Sequence, residues 1–189
     1  MAVLATKETF KELLPRKPYY CDEMGWTRIA GCNIAIYAAH IQFNGPTHKQ
    51  WLVFDIDRHD AYDLLQDPHV PPPNIICINP VNNHAHLYYL LETPVRTAPD
   101  GSAHALRYCA AVEQALRTRL GGDVGYARLL AKNPLHPYWH TMFWRKEPYS
   151  LGELADWFTK EELNAPVKAR EIDGLKRNVT TFEILRHWA

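Results

Sequence analysis

The chain carries no surplus of charge: 21 lysines and arginines balance 21 aspartates and glutamates. A protein that coats nucleic acid without regard to sequence needs a strongly basic surface, so the balance argues against that class. No apolar run approaches the roughly 20 residues that span a bilayer, so no membrane partner is expected. Met1 to Leu14 interleaves Lys7, Glu8, Lys11 and Glu12 with apolar residues, which makes an amphipathic segment rather than a secretion signal. Cysteine is sparse. Cys21, Cys32, Cys77 and Cys109 show no CxxC spacing and sit in apolar stretches, so they read as buried free thiols of a reducing cytoplasm, and zinc is not expected. Glycine never takes P-loop spacing, and there is no internal repeat or low-complexity tract.

What is present suits one sizeable domain: 189 residues, 47% hydrophobic and 12% aromatic. Charge is uneven along the chain. Residues 51–100 hold seven acidic and two basic side chains, whereas residues 101–150 hold three acidic and seven basic. An acidic site facing a basic flank suits a metal–triphosphate ligand, and random scatter also gives such numbers.

The run Trp51-Leu52-Val53-Phe54-Asp55-Ile56-Asp57-Arg58 is strand-like and carries two carboxylates one residue apart. Side chains at i and i+2 of a strand share a face, so Asp55 and Asp57 project side by side while Ile56 enters the opposite layer. Like charges held that close need a positive neutraliser. A hard divalent cation, Mg²⁺ or Mn²⁺, prefers carboxylate oxygens. The plainer alternative is a strand end whose solvated aspartates cap the next helix.

Around that strand, residues 15–33 read as irregular structure or short strands, Ile34 to Phe43 as β-prone, and Gly45-Pro46 as a turn. His59 to Leu65 reads as a helix closed by Asp67-Pro68, and residues 75–91 as a hairpin across Pro80-Val81-Asn82-Asn83. Ser102 to Leu120 is the clearest helix, with Leu106, Cys109, Ala110, Glu113, Leu116 and Leu120 on one stripe and Gly121-Gly122 ending it. Ser150/Glu153 and Thr159/Glu162 match the capping-box pattern. Residues 164–174 read as a linker and 178–188 as a short amphipathic helix. The sum is α+β with a largely antiparallel sheet.

Two further segments carry chemistry. In His84-Ala85-His86 both imidazoles face one side of a strand, where they can ligate a metal, donate to phosphate oxygens, or simply pack. Gly121-Gly122-Asp123-Val124-Gly125-Tyr126 offers a third carboxylate, followed by the cations Arg128 and Lys132; its plainer reading is a glycine-rich turn with Asp123 as a cap.

In order, Asp55-x-Asp57, then His86, then Asp123 followed by Lys132 resemble the archaeo-eukaryotic primase superfamily. More narrowly, Trp51 to Arg58, the segment from Pro71-Pro72-Pro73-Asn74 through Asn79-Pro80 to His84-Ala85-His86-Leu87, and Lys132-Asn133-Pro134-Leu135-His136 with Trp139 are similar to the replicase family, Rep proteins of theta-replicating colicin-type plasmids. The resemblance covers most of residues 15–160. It implies a primase (prim-pol) fold with an RRM-like sheet over residues 1–163. It also implies a small helical domain beginning near residue 175. Asp55, Asp57 and Asp123 would be the catalytic metal ligands, and His86, Lys132, His84, Arg128 and Asn133 would serve nucleotide binding. The implied protein is a cytoplasmic, plasmid-encoded initiator using NTPs, Mg²⁺ or Mn²⁺, single-stranded template or origin DNA, and a host replication DNA polymerase. This sequence departs from the family in having Asn83 where glycine is frequent. The competing readings are an HUH-type nuclease with His84 and His86 on a metal and Tyr108 or Tyr126 as nucleophile, and a non-catalytic origin-binding module.

Overall fold

The computed structural model describes residues 3–23 and 25–165. Its centre is an antiparallel sheet in the order β4-β6-β5-β8, formed by β4 (His48–Ile56), β5 (Ile75–Ile78), β6 (Ala85–Arg96) and β8 (His140–Phe143). Both rows of β4 are buried, as a strand covered on two faces requires. Leu52, Phe54 and Ile56 meet Val112, Leu116 and Leu120 of helix α3 (Ala103–Leu120), with α4 (Leu151–Ala155) and α5 (Lys160–Leu163) beside it. Trp51 and Val53 point the other way, into a layer with Tyr88, Phe43, Ile41 and Ala131. Phe10 of α1 (Lys7–Glu12) seals that layer, its ring 5.7 Å from Trp51 and 5.9 Å from Tyr88. Each such large side chain contributes about 1.5–3 kcal/mol by burial.

A second antiparallel sheet lies over this face in the order β2-β1-β3-β7: β1 (Tyr19–Cys21), β2 (Arg28–Ile29), β3 (His40–Ile41) and β7 (Ala131–Lys132). Two bonds tie the sheets together. The Tyr88 hydroxyl donates to the Lys132 carbonyl at 2.6 Å, and the Lys132 N–H donates to His86 Nδ1 at 2.8 Å.

The expected hairpin is present, with Ile75 opposite Tyr88 and Ile78 opposite Ala85. Its turn closes with Asn83 at φ +60°, a left-handed conformation that asparagine tolerates better than most side chains. α3 starts at Ser102, whose side chain accepts from Ala105 N–H, and ends at Gly121 with φ +64°. Thr159 and Glu162 form the full capping box, whereas Glu153 gives its carboxylate to Arg145.

The expected antiparallel architecture is laid out as two four-stranded sheets, and two local expectations are corrected. Ile34 to Phe43 is mostly not strand: Cys32–Ala35 is a helical turn, α2, and only His40–Ile41 pairs. Tertiary contacts override β-propensity there, because the Asn133 amide donates to the Ile36 and Ala38 carbonyls and Trp139 Nε1 donates to that of Ala39. His59 to Leu65 supplies only a 3₁₀ turn, Asp63–Leu65. Most of the expected linker and the 178–188 helix lie outside the described residues.

Candidate active site

Trp51, Val53 and Asp55 alternate onto one face of β4, opposite Leu90, Tyr88 and His86 of β6. The apolar row therefore becomes polar where the second sheet stops covering it. Asp55 and His86 are direct cross-strand partners, with His86 Nε2 2.9 Å from Asp55 Oδ1. One step outward, His84 Nδ1 lies 3.0 Å from Asp57 Oδ1. Each imidazole thus aims at its own carboxylate.

Asp123 arrives from the far side of the sheet. α3 packs on the Leu52/Phe54/Ile56 face, and the left-handed Gly121 turns the chain around the sheet end. Asp123 N–H then donates to the Asp55 carbonyl at 2.8 Å. The chain passes close at Gly122, where a Cβ would stand 3.3 Å from Arg117 Cγ and in ordinary contact, 3.5 Å, with the Asp55 carbonyl oxygen. As a result, Asp55, Asp57 and Asp123 each offer a carboxylate oxygen within 4.8 Å of the others.

The cations are unevenly placed. Lys132 Nζ is 3.6 Å from Asp55 Oδ1 and 6.0 Å from the Trp139 ring centroid. Burial pushes the Asp55 carboxyl up, but the contacts with His86 and then the Lys132 charge outweigh it and hold the group below the usual range. Burial drives the His86 imidazole toward its neutral form. Because His86 Nδ1 accepts the Lys132 N–H, its proton sits on Nε2 and faces Asp55. Arg128, at φ +58°, places Nη1 3.2 Å from Glu113 of α3. Asn133 is fully buried, with both amide protons bonded to carbonyls of the α2–β3 connection, so it has no donor left for a ligand.

The residues fit a divalent cation. Asp55 Oδ1 is shielded from solvent yet lacks a well-aligned hydrogen-bond donor, because His86 Nε2 approaches it off-line. Two more carboxylates stand beside that oxygen, and hard cations favour such an all-oxygen set. The set suits an HUH nuclease less well, since among the described residues neither histidine joins the metal-capable group, which is made of three carboxylates. The Tyr126 hydroxyl donates to Leu130, and Tyr108 lies on α3, across the sheet from Asp55.

Three further side chains border the site in places that sequence patterns did not assign to them. His40 pairs directly across from Lys132, with its ring 5.3 Å from Trp139. The Tyr126 ring lies 5.1 Å from His86. Glu113 is buried against Lys49 and Arg128; its place in an apolar helical stripe was the one available signal.

The model for the Replicase family matches residues 13–158. The chain belongs to the Replicase family. This member is also similar in structure to the archaeo-eukaryotic primase (AEP) domain of the cyanophage S-2L primase-polymerase (PrimPol). The likeness has a TM-score of 0.53 at 11% identity and covers 76% of this chain and 88% of that one. Its fold is therefore that of an archaeo-eukaryotic primase domain. No curated protein sequence matches the chain. Among the described residues, no helix is long and apolar enough to cross a membrane.

Proposed function

We propose that this Replicase-family protein is a DNA-dependent primase of plasmid replication, joining nucleotides from NTPs into a short primer at the origin. The observation that carries the reading is the convergence of Asp55 at the end of β4, Asp57 just beyond it and Asp123 in the loop after α3, within 4.8 Å of one another in a primase fold.

Asp55, Asp57 and Asp123 would hold Mg²⁺ or Mn²⁺. Such ions lower the pKa of an attacking 3′-hydroxyl and neutralise charge on departing pyrophosphate. The protein's own groups do the positioning. His86, locked as the Nε2–H tautomer, keeps its proton turned to Asp55 and orients that carboxylate. Lys132, held by Tyr88 and His86 through its backbone, presents its ammonium at the rim of the acidic cluster, where a polyphosphate would meet it. His84, only partly covered, is placed to donate to a phosphate oxygen once released from Asp57. Single-stranded template would lie over the same face, and a host DNA polymerase would extend the product.

The test is incubation with labelled NTPs, single-stranded template and Mg²⁺ or Mn²⁺. Short NTP-dependent products that vanish in Asp55→Ala support the reading. No product, or a covalent protein–DNA adduct formed without NTPs, defeats it.

A further inference from the structure

The segment from Gly121 to Lys132 carries Asp123, Tyr126 and Lys132, yet it has no regular structure before β7. Three anchors hold it in place. At one end Asp123 N–H is bonded to the Asp55 carbonyl. In the middle the Tyr126 ring lies against His86 while its hydroxyl donates to the Leu130 carbonyl. Beyond these, Arg128 reaches back to Glu113, one of few acidic side chains buried in the fold. The same Glu113 oxygen lies 2.7 Å from Lys49 Nζ on β4. Arg117, one turn further along α3 and also buried, donates to Gln114 Oε1 at 2.6 Å and feels the charges of Arg128, Glu113 and Asp123.

A buried carboxylate is costly without partners, and Glu113 meets both Lys49 and Arg128, the latter at φ +58°, a conformation side-chain-bearing residues seldom adopt. Arg128 is five residues from Asp123, and strain released there would pass straight to the acidic side chain.

We infer that Glu113 is a positioning residue of the acidic centre, acting through Arg128 to fix the loop that delivers Asp123, so that Arg128 serves as a loop anchor rather than a phosphate contact. The inference rests on the metal-binding reading above. It requires no contact between Glu113 and ligand, and it explains why a carboxylate stands in the apolar stripe of α3. Removing a group that orients a metal ligand typically weakens affinity by about 10-fold or more.

The experiment is Mn²⁺ titration of the full chain by electron paramagnetic resonance, without nucleotide. Glu113→Gln and Arg128→Ala should each weaken Mn²⁺ by about 10-fold, and the double variant should be no worse than either, because both act on one path. Lys49→Met, which removes the partner on the same oxygen but touches nothing in the loop, should bind Mn²⁺ like the parent. Wild-type affinity in Arg128→Ala overturns the inference. Multiplying losses in the double variant, or a loss in Lys49→Met equal to that in Glu113→Gln, also overturns it, since either marks general weakening of α3. If the parent chain itself binds no Mn²⁺ while Asp55→Asn behaves identically, the metal reading fails instead.

Discussion

Replacing Asp55 by asparagine keeps the side-chain shape and removes one of three clustered charges. In the metal-free protein two effects oppose. Lys132, 3.6 Å away, and the His86 Nε2 proton lose an anionic partner; neither contact is a well-aligned hydrogen bond, so together they contribute about 2 kcal/mol, below the sum for two good charged bonds. Against that, Asp55 no longer repels Asp57 and Asp123, whose ligand oxygens lie within 4.8 Å. Such a pair costs about 3 kcal/mol at an effective dielectric of about 20. Solvent around the two exposed partners screens this to about 1 kcal/mol each. The opposing sums nearly cancel, so metal-free stability should stay within about 1 kcal/mol of the parent. Mn²⁺ should then separate the two proteins. A ligand at about 100 times its Kd stabilises by about 2.7 kcal/mol. For a chain of this length that is about 5–10 °C in Tm. Calorimetry in EDTA and then in MnCl₂ should show that rise for the parent and little or none for Asp55→Asn. Equal shifts in the two proteins would mean that Asp55 does not hold the ion.

The remaining predictions concern the frame around the site. Asn74 is fully buried, with its amide donating to the Arg145 and Glu147 carbonyls and its oxygen accepting Leu90 N–H. Asn74→Ala strands three backbone groups and should cost about 3–5 kcal/mol in urea unfolding; a loss below about 1 kcal/mol would contradict the bonding. Gly121→Ala should lose about 1 kcal/mol from the left-handed backbone alone, because the nearest atom to a new Cβ, Arg58 Nη1, is 3.4 Å away. Asparagine there should recover part of the loss, and no difference between the two variants would argue against the conformation. His40, lowered to about 4 first by burial and then by the His86 and Lys132 charges, takes up protons more readily unfolded than folded. Stability should therefore be full above about pH 6.5 and fall as pH drops toward 4, by at most about 3 kcal/mol. His40→Gln should flatten that slope, which denaturant midpoints across pH will show.

Much of the chemistry was legible along the chain because it is local. A period of two fixes which face Asp55, Asp57, His84 and His86 share, and the apolar neighbours in β4 and β6 decide that this face is buried at one end. The long helix was equally plain, since its cap, its stripe and its terminal glycines lie within one segment. Long-range competition was not legible. Ile34 to Phe43 has β-prone residues, but Asn133 and Trp139, about a hundred residues away, claim the carbonyls that a longer strand would have paired.

The amino-acid order by itself determined the alternation that sets two aspartates and two histidines on one face, and the motif order shared with the Replicase family. Only the tertiary structure decided that Asp123 rounds the sheet end to join them, that Arg128 turns back to Glu113, and that Asn133 is a buried brace. The physical reason is range. Strand and helix periodicities act between neighbours, whereas the meeting of Asp123 with Asp55 depends on how α3 packs across the sheet and on the left-handed turn at Gly121 that follows it.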